Sequence, residues 1–164
     1  MAFTDITSTA EVRAVLGVSE KELHDDVLLL PLYTTQLTGD IDALHAQMLA
    51  DFAATAPLAT KTDDQERFVN LVQAYAAYHI AKQCLGAVAM FAPARISAAG
   101  KSEAERVPDA YAQLRIDVPT TLSILRTRLR AAYARLNPDA TPPAPAERLA
   151  ALAATPGTSP ITGS

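Results

Sequence analysis

Two long apolar patterns with helical spacing constrain this chain more than any other feature. Across residues 111–136, Tyr111, Leu114, Val118, Leu122, Leu125, Leu129, Tyr133 and Leu136 recur in steps of three and four without a miss. A helix returns to the same face every ~3.6 residues, so this spacing predicts an amphipathic helix with one buried stripe. The second pattern follows Thr62 and Gln65, which fit a capping box, and ends before Pro93. One of its faces carries Phe68, Leu71, Val72, Tyr75, Tyr78, His79, Lys82 and Leu85. Another carries Val69, Ala76, Ile80, Cys84, Ala87 and Phe91. A helix that is apolar on two sides belongs in the middle of a bundle.

Shorter segments surround these two. Ser8 and Glu11 form a capping box, and the helix they open should run to Leu16, where Gly17 stops it. Ser19 and Glu22 offer a second box. A helix is then expected from near Asp26 to Leu37, with Pro31 tolerated in its first turns. Beyond Gly39, which either breaks or bends the chain, Ile41, Leu44, Met48, Leu49 and Phe52 carry a helical stripe to about Ala54. Residues 93–107 contain Gly100 and mixed charges, and read as an excursion with the length of a short hairpin. Pro108 and Asp109 open the last helix, which Pro119 should kink or restart near Thr120. Asn137 and Pro138 end it. The expected fold is therefore all-α: a bundle of four to five helices over residues 1–137, then a Pro/Ala-rich arm over 138–164. That arm has too little apolar content to fold alone and is expected to stay disordered or extended until bound.

Each candidate for chemistry has a simpler structural explanation. Cys84 lies in an apolar helical pattern and reads as a buried core thiol. His24, His45 and His79 fall on separate segments with no partner at ligand spacing, so neither a metal site nor a cofactor is expected. No serine sits in a nucleophile elbow. Gly100-Lys101-Ser102 lacks the upstream glycine and strand of a phosphate loop. Asp63, Asp64 and Glu66 sit where a helix N-terminus favours acids. The reading is of a protein that is not an enzyme. The most apolar window, 74–92, is interrupted by His79, Lys82 and Gln83, so no membrane span is expected. The opening residues lack the basic-then-apolar layout of a secretion signal, which implies a chain kept in the cytoplasm.

Charge is unevenly distributed. Residues 1–66 carry 12 Asp/Glu against 3 Lys/Arg, whereas residues 67–164 carry 11 Lys/Arg against 6 Asp/Glu, for a net charge of −4. Such segregation suits unlike faces of identical subunits meeting head to tail, since heterologous contacts close into rings and complementary potentials fix their register. Asp25 and Asp26 on one side, and Arg126, Arg128, Arg130 and Arg135 on the other, are the candidate subunit contacts. In the arm, Leu149, Leu152, Pro156, Pro160 and Ile161 are the candidate docking residues. The Ala14–Ser19 segment is similar to the turn of a helix-turn-helix. The acids that follow (Glu20, Glu22, Asp25 and Asp26) would repel phosphate, so a structural corner is favoured over a DNA reader.

The stretch Glu11–Leu23 (EVRAVLGVSEKEL), continuing through Asp25–Tyr33 (DDVLLLPLY), resembles the start of tailed-bacteriophage head–tail connector (adaptor) proteins. Ile96–Lys101 (ISAAGK), Glu105–Val107 and the long Tyr111–Leu136 pattern are similar to the later part of such proteins. The resemblance covers roughly residues 8–137. It implies a small helical bundle assembled as a ring, usually of twelve copies, beneath the portal protein. It further implies that the C-terminal arm reaches the portal, that other surfaces receive tail, nozzle or stopper proteins, and that Lys101 and Arg106 of the excursion make contacts. Such a chain would be assembled in the host cytoplasm and reside in the virion. DNA would pass through its channel unbound, and a net negative subunit suits that role. The alternatives are a bacterial helical interaction or regulatory protein acting as a dimer, and a helix-turn-helix DNA-binding protein.

Overall fold

The computed structural model describes residues 2–88 and 111–138, with side chains described over 2–85 and 111–138. All regular structure among them is helical. After a single 3-10 turn at Phe3–Asp5 come α1 (Thr9–Leu16), α2 (Asp25–Leu28), α3 (Pro31–Asp42), α4 (Met48–Thr55), α5 (Asp63–Val88) and α6 (Ala112–Leu136). The expected all-α bundle is what forms. The excursion at 93–107, the opening of the last helix at Pro108–Asp109 and the arm beyond Pro138 lie outside the described residues.

Local chemistry accounts for most of the boundaries. At α1, Ser8 Oγ accepts from the Glu11 amide at 3.1 Å while the Glu11 carboxylate accepts from the Ser8 amide at 3.0 Å. The Thr7 hydroxyl also donates to Glu11 at 2.6 Å, and these bonds hold the Glu11 carboxyl below its ordinary pKa. Gly17 closes α1 at φ 66°, a left-handed conformation that costs a Cβ-bearing residue but not glycine. That turn lets the amides of Gly17 and Val18 reach the carbonyls of Ala14 and Arg13. The Thr62 box at the start of α5 also forms, through reciprocal bonds with Gln65 at 2.9 and 3.3 Å.

Four sequence expectations are refined by the structure. Only half of the second box forms: the Glu22 carboxylate accepts from the Ser19 amide and hydroxyl, but the Glu22 amide goes to the Ser19 carbonyl, and the segment is a turn and not a helix. The helix expected over 26–37 is two helices. Pro31 cannot donate to the ladder of α2, and it takes the first position of α3, where a missing N–H costs nothing. Gly39 neither breaks nor ends α3, which runs through it to Asp42. Of the kink or restart expected at Pro119, the restart does not occur: α6 runs through Pro119 as one helix.

The core lies around α5, which packs against α1, α3, α4 and α6. Phe68, Val72, Tyr75, Ala76, Ile80, Ala81 and Cys84 are all buried, so the helix is apolar on two sides as its sequence requires. Lys82, grouped by register with the first of these faces, is exposed instead: a long charged side chain cannot give up water without a partner. α6 covers one flank of α5 with Val118, Leu122, Leu125, Leu129 and Tyr133. Leu37 and Ile41 of α3, Leu44, and Met48 and Phe52 of α4 are buried in the same core.

Candidate functional site

Two acids act as rivets between elements. Asp40, on α3, receives the Tyr75 hydroxyl of α5 and, at 3.2 Å, Nη2 of Arg126 from α6. His79 Nε2 lies 3.6 Å from the same carboxylate, too far for a hydrogen bond. Gln83 Nε2 faces His79 Nδ1 at 3.2 Å, so its amide can donate there and leave the imidazole proton on Nε2, toward Asp40. The Tyr75 pKa is raised by burial and by Asp40, so its hydroxyl stays protonated as the donor. The second rivet is Asp51, on α4, whose carboxylate accepts from the Tyr133 hydroxyl at 2.6 Å and from Asn137 Nδ2 at 3.4 Å. It pins the end of α6 to α4. These clusters hold the bundle together.

His79 couples this interior to pH. Burial lowers its pKa, outweighing the attraction of Asp40, and nearby Lys82 and Arg126 push the same way. The native state therefore resists a proton that the unfolded chain accepts at its ordinary value of 6.5. Stability is expected to be full above that pH and to fall as pH drops below it, by at most ~1.4 kcal/mol per pH unit for one proton. Denaturation midpoints measured from pH 7.5 to 5.5 should fall for the native sequence and stay nearly level for His79→Gln. Equal slopes in the two proteins would remove His79 as the cause.

The charged residues expected to contact neighbours have mixed placements. Asp25 is bonded to Arg13 of α1, which also donates to the Leu23 carbonyl at 3.3 Å. Arg126 is engaged by Asp40, and its Nε is buried with no hydrogen-bond partner. Both side chains are thus committed within the chain, because α1 meets the start of α2 and α6 passes close to α3. Asp26, Arg128, Arg130 and Arg135 remain exposed. Arg128 borders an open cleft with Asp63, Glu66, Arg67, Asn70 and Leu71. Lys101, Arg106, Leu149, Leu152, Pro156, Pro160 and Ile161 lie outside the described residues.

Cys84 is fully buried and burial raises its pKa, which disfavours the reactive thiolate. Among the described residues, no group of three or more side chains could hold a metal ion, and no helix is long and apolar enough to cross a membrane. Neither Asp40 nor Asp51 stands out in the sequence. The available signal for Asp40 was an acid beside Ile41 in the register of Leu37, facing a tyrosine and a histidine four residues apart on the central helix.

What the surface offers instead is apolar area flanked by charge. Leu29, Leu30 and Leu32 are each about half exposed at the α2–α3 corner, beside exposed Glu22 and Asp26. On α6, Ile116 and Ile124 are exposed on a helix that carries five arginines and a single acid, Asp117. Compared with protein-family models, with curated proteins and with solved structures, the chain matches none of them.

Proposed function

We propose that this chain is a structural subunit of a virion, a head-to-tail adaptor that forms a ring between portal and tail and leaves a channel for DNA. The supporting observation is a pair of unlike surfaces on one small bundle: an acidic, leucine-bearing corner and an arginine-flanked helix with exposed isoleucines. Surfaces of opposite sign on one subunit favour repeated head-to-tail contacts over a symmetric dimer. The resemblance to connector proteins supplies the biological setting, and the arm at 138–164 would be the segment that orders against the portal.

The test is co-purification with the portal protein of the genome that encodes this chain. The whole chain should be retained by assembled portal rings, and a chain ending at Asn137 should stay folded but be lost. If both proteins are washed away, the adaptor reading fails. Retention of the shortened chain at full yield would remove the arm from it.

A further inference from the structure

The outward face of α6 has an unusual composition. Opposite the core stripe of Val118, Leu122, Leu125 and Leu129, the helix presents Ile116, Thr120, Ile124, Thr127 and Ala131, all exposed. Ile116 is 63% and Ile124 47% accessible. A solvent-facing helix surface ordinarily carries its charges along its centre. Here the centre line has none. At ~100° per residue, Arg130 falls along one edge, while Arg128 and Arg135 fall along the other. Asp117 shares that second edge as a single negative charge, its carboxylate accepting from the neutral Gln113 Nε2 at 2.8 Å. The Thr120 and Thr127 hydroxyls donate to the carbonyls of Ile116 and Ser123 at 2.7 and 3.2 Å. Their hydrogen-bonding capacity is thus turned into the helix, which makes the stripe more apolar than its sequence suggests.

The second surface follows from Pro31. Because α3 begins there, Leu28 and Tyr33 turn inward, while Leu29, Leu30 and Leu32 stand out with accessibilities of 50%, 47% and 58%. Three half-exposed leucines within four residues form an apolar projection, and the exposed charges that precede it in the chain are mainly acidic: Glu20, Glu22 and Asp26, with Lys21 the one base among them. Asp25 is already satisfied by Arg13. The corner and the α6 stripe are both exposed in the same subunit, so neither covers the other.

We infer that these two surfaces are the halves of one joint: the Leu29–Leu30–Leu32 corner of one copy seats on the Ile116–Thr120–Ile124 stripe of the next. The charge pattern favours this occupant: Glu20, Glu22 and Asp26 lie close to the projection in sequence, while along the stripe's edges Arg128, Arg130 and Arg135 outnumber Asp117, with Arg128 also bordering a cleft with Asp63 and Glu66. Two corners or two stripes brought together would oppose like charges. The joint is heterologous, so each added copy leaves one corner and one stripe free until the chain of subunits closes. This assignment rests on the ring-forming reading above and gives it specific residues.

The experiment uses full-length chain carrying Leu30→Cys or Ile124→Cys, with buried Cys84 left in place and folding checked by circular dichroism. The two variants are mixed at about millimolar concentration, where even a millimolar-affinity contact is half populated, and oxidised gently with and without portal rings. The Leu30→Cys and Ile124→Cys mixture should give a disulfide dimer at least five times faster than either variant alone. It should also outpace Ile124→Cys mixed with Leu58→Cys, a comparably exposed position outside both patches. Arg128→Glu with Arg130→Glu in the Ile124→Cys partner should slow trapping at least fivefold, and Glu22→Lys with Asp26→Lys in the Leu30→Cys partner should restore it. Equal trapping by the Leu58→Cys pair, or dimers of Ile124→Cys alone at the same rate, would overturn the joint. Portal binding without this cross-link would leave the adaptor reading standing and remove the joint. Cross-linking without portal binding would do the reverse.

Discussion

Truncating Phe68 to alanine is expected to lower the unfolding free energy by about 3–5 kcal/mol. The side chain is fully buried on α5 and its ring lies 5.6 Å from that of Tyr133 on α6. Removing it takes away transferred apolar surface and leaves a cavity at the most extensive helix–helix contact in the bundle. The tilted ring pair adds a smaller increment, about 0.5–1.5 kcal/mol, that alanine also forfeits. Because domains of this size are stable by only about 5–15 kcal/mol, the variant should show a large drop in denaturation midpoint. Urea titration followed by circular dichroism measures it. A loss below about 1 kcal/mol would mean that α5 and α6 do not pack as described.

Replacing Asp40 with alanine should cost about 2–3 kcal/mol. Three helices converge on this carboxylate, through the Tyr75 hydroxyl from α5 and the Arg126 guanidinium from α6. Breaking a fully buried ion pair costs more, about 3–5 kcal/mol, but here Asp40 and Arg126 both keep contact with water and the Coulombic part is screened. The remainder comes from the Tyr75 hydroxyl, on a residue only 1% exposed, which is left without its acceptor. A double-mutant cycle separates the two. Tyr75→Phe should cost at least about 0.5 kcal/mol less in the Asp40→Ala background than in the native one. Strict additivity would show that the Asp40–Tyr75 bond contributes nothing.

The helices were legible in the sequence wherever periodicity and capping agreed. The run from Phe68 to Cys84 indicated a central helix because it is apolar on two registers, and Ser8–Glu11 with Gly17 delimited α1. The errors came where one local signal stood alone. Ser19 and Glu22 make only half of a box, and although Leu23, Val27 and Leu30 follow at helical spacing, the chain turns before α2. Pro31 has the same composition cue whether it sits inside a first turn or starts a new helix, and only tertiary packing of Leu28 and Tyr33 decides. Interior polar contacts were the least legible. Arg126 looks like its neighbours Arg128 and Arg130 in sequence, yet it alone lies where α6 passes Asp40. Charge counts identify acidic and basic halves, but which members are neutralised inside the chain depends on helix crossings that periodicity does not specify.

We propose that this bundle works through repeated contacts between copies of itself, organised on a portal. Native mass spectrometry of the full-length chain, alone and bound to its portal, tests that most directly. The account predicts a monomer or a closed ring in isolation, and on the portal one symmetric complex containing a fixed multiple of the chain. A stable, self-sufficient dimer that ignores the portal would contradict it.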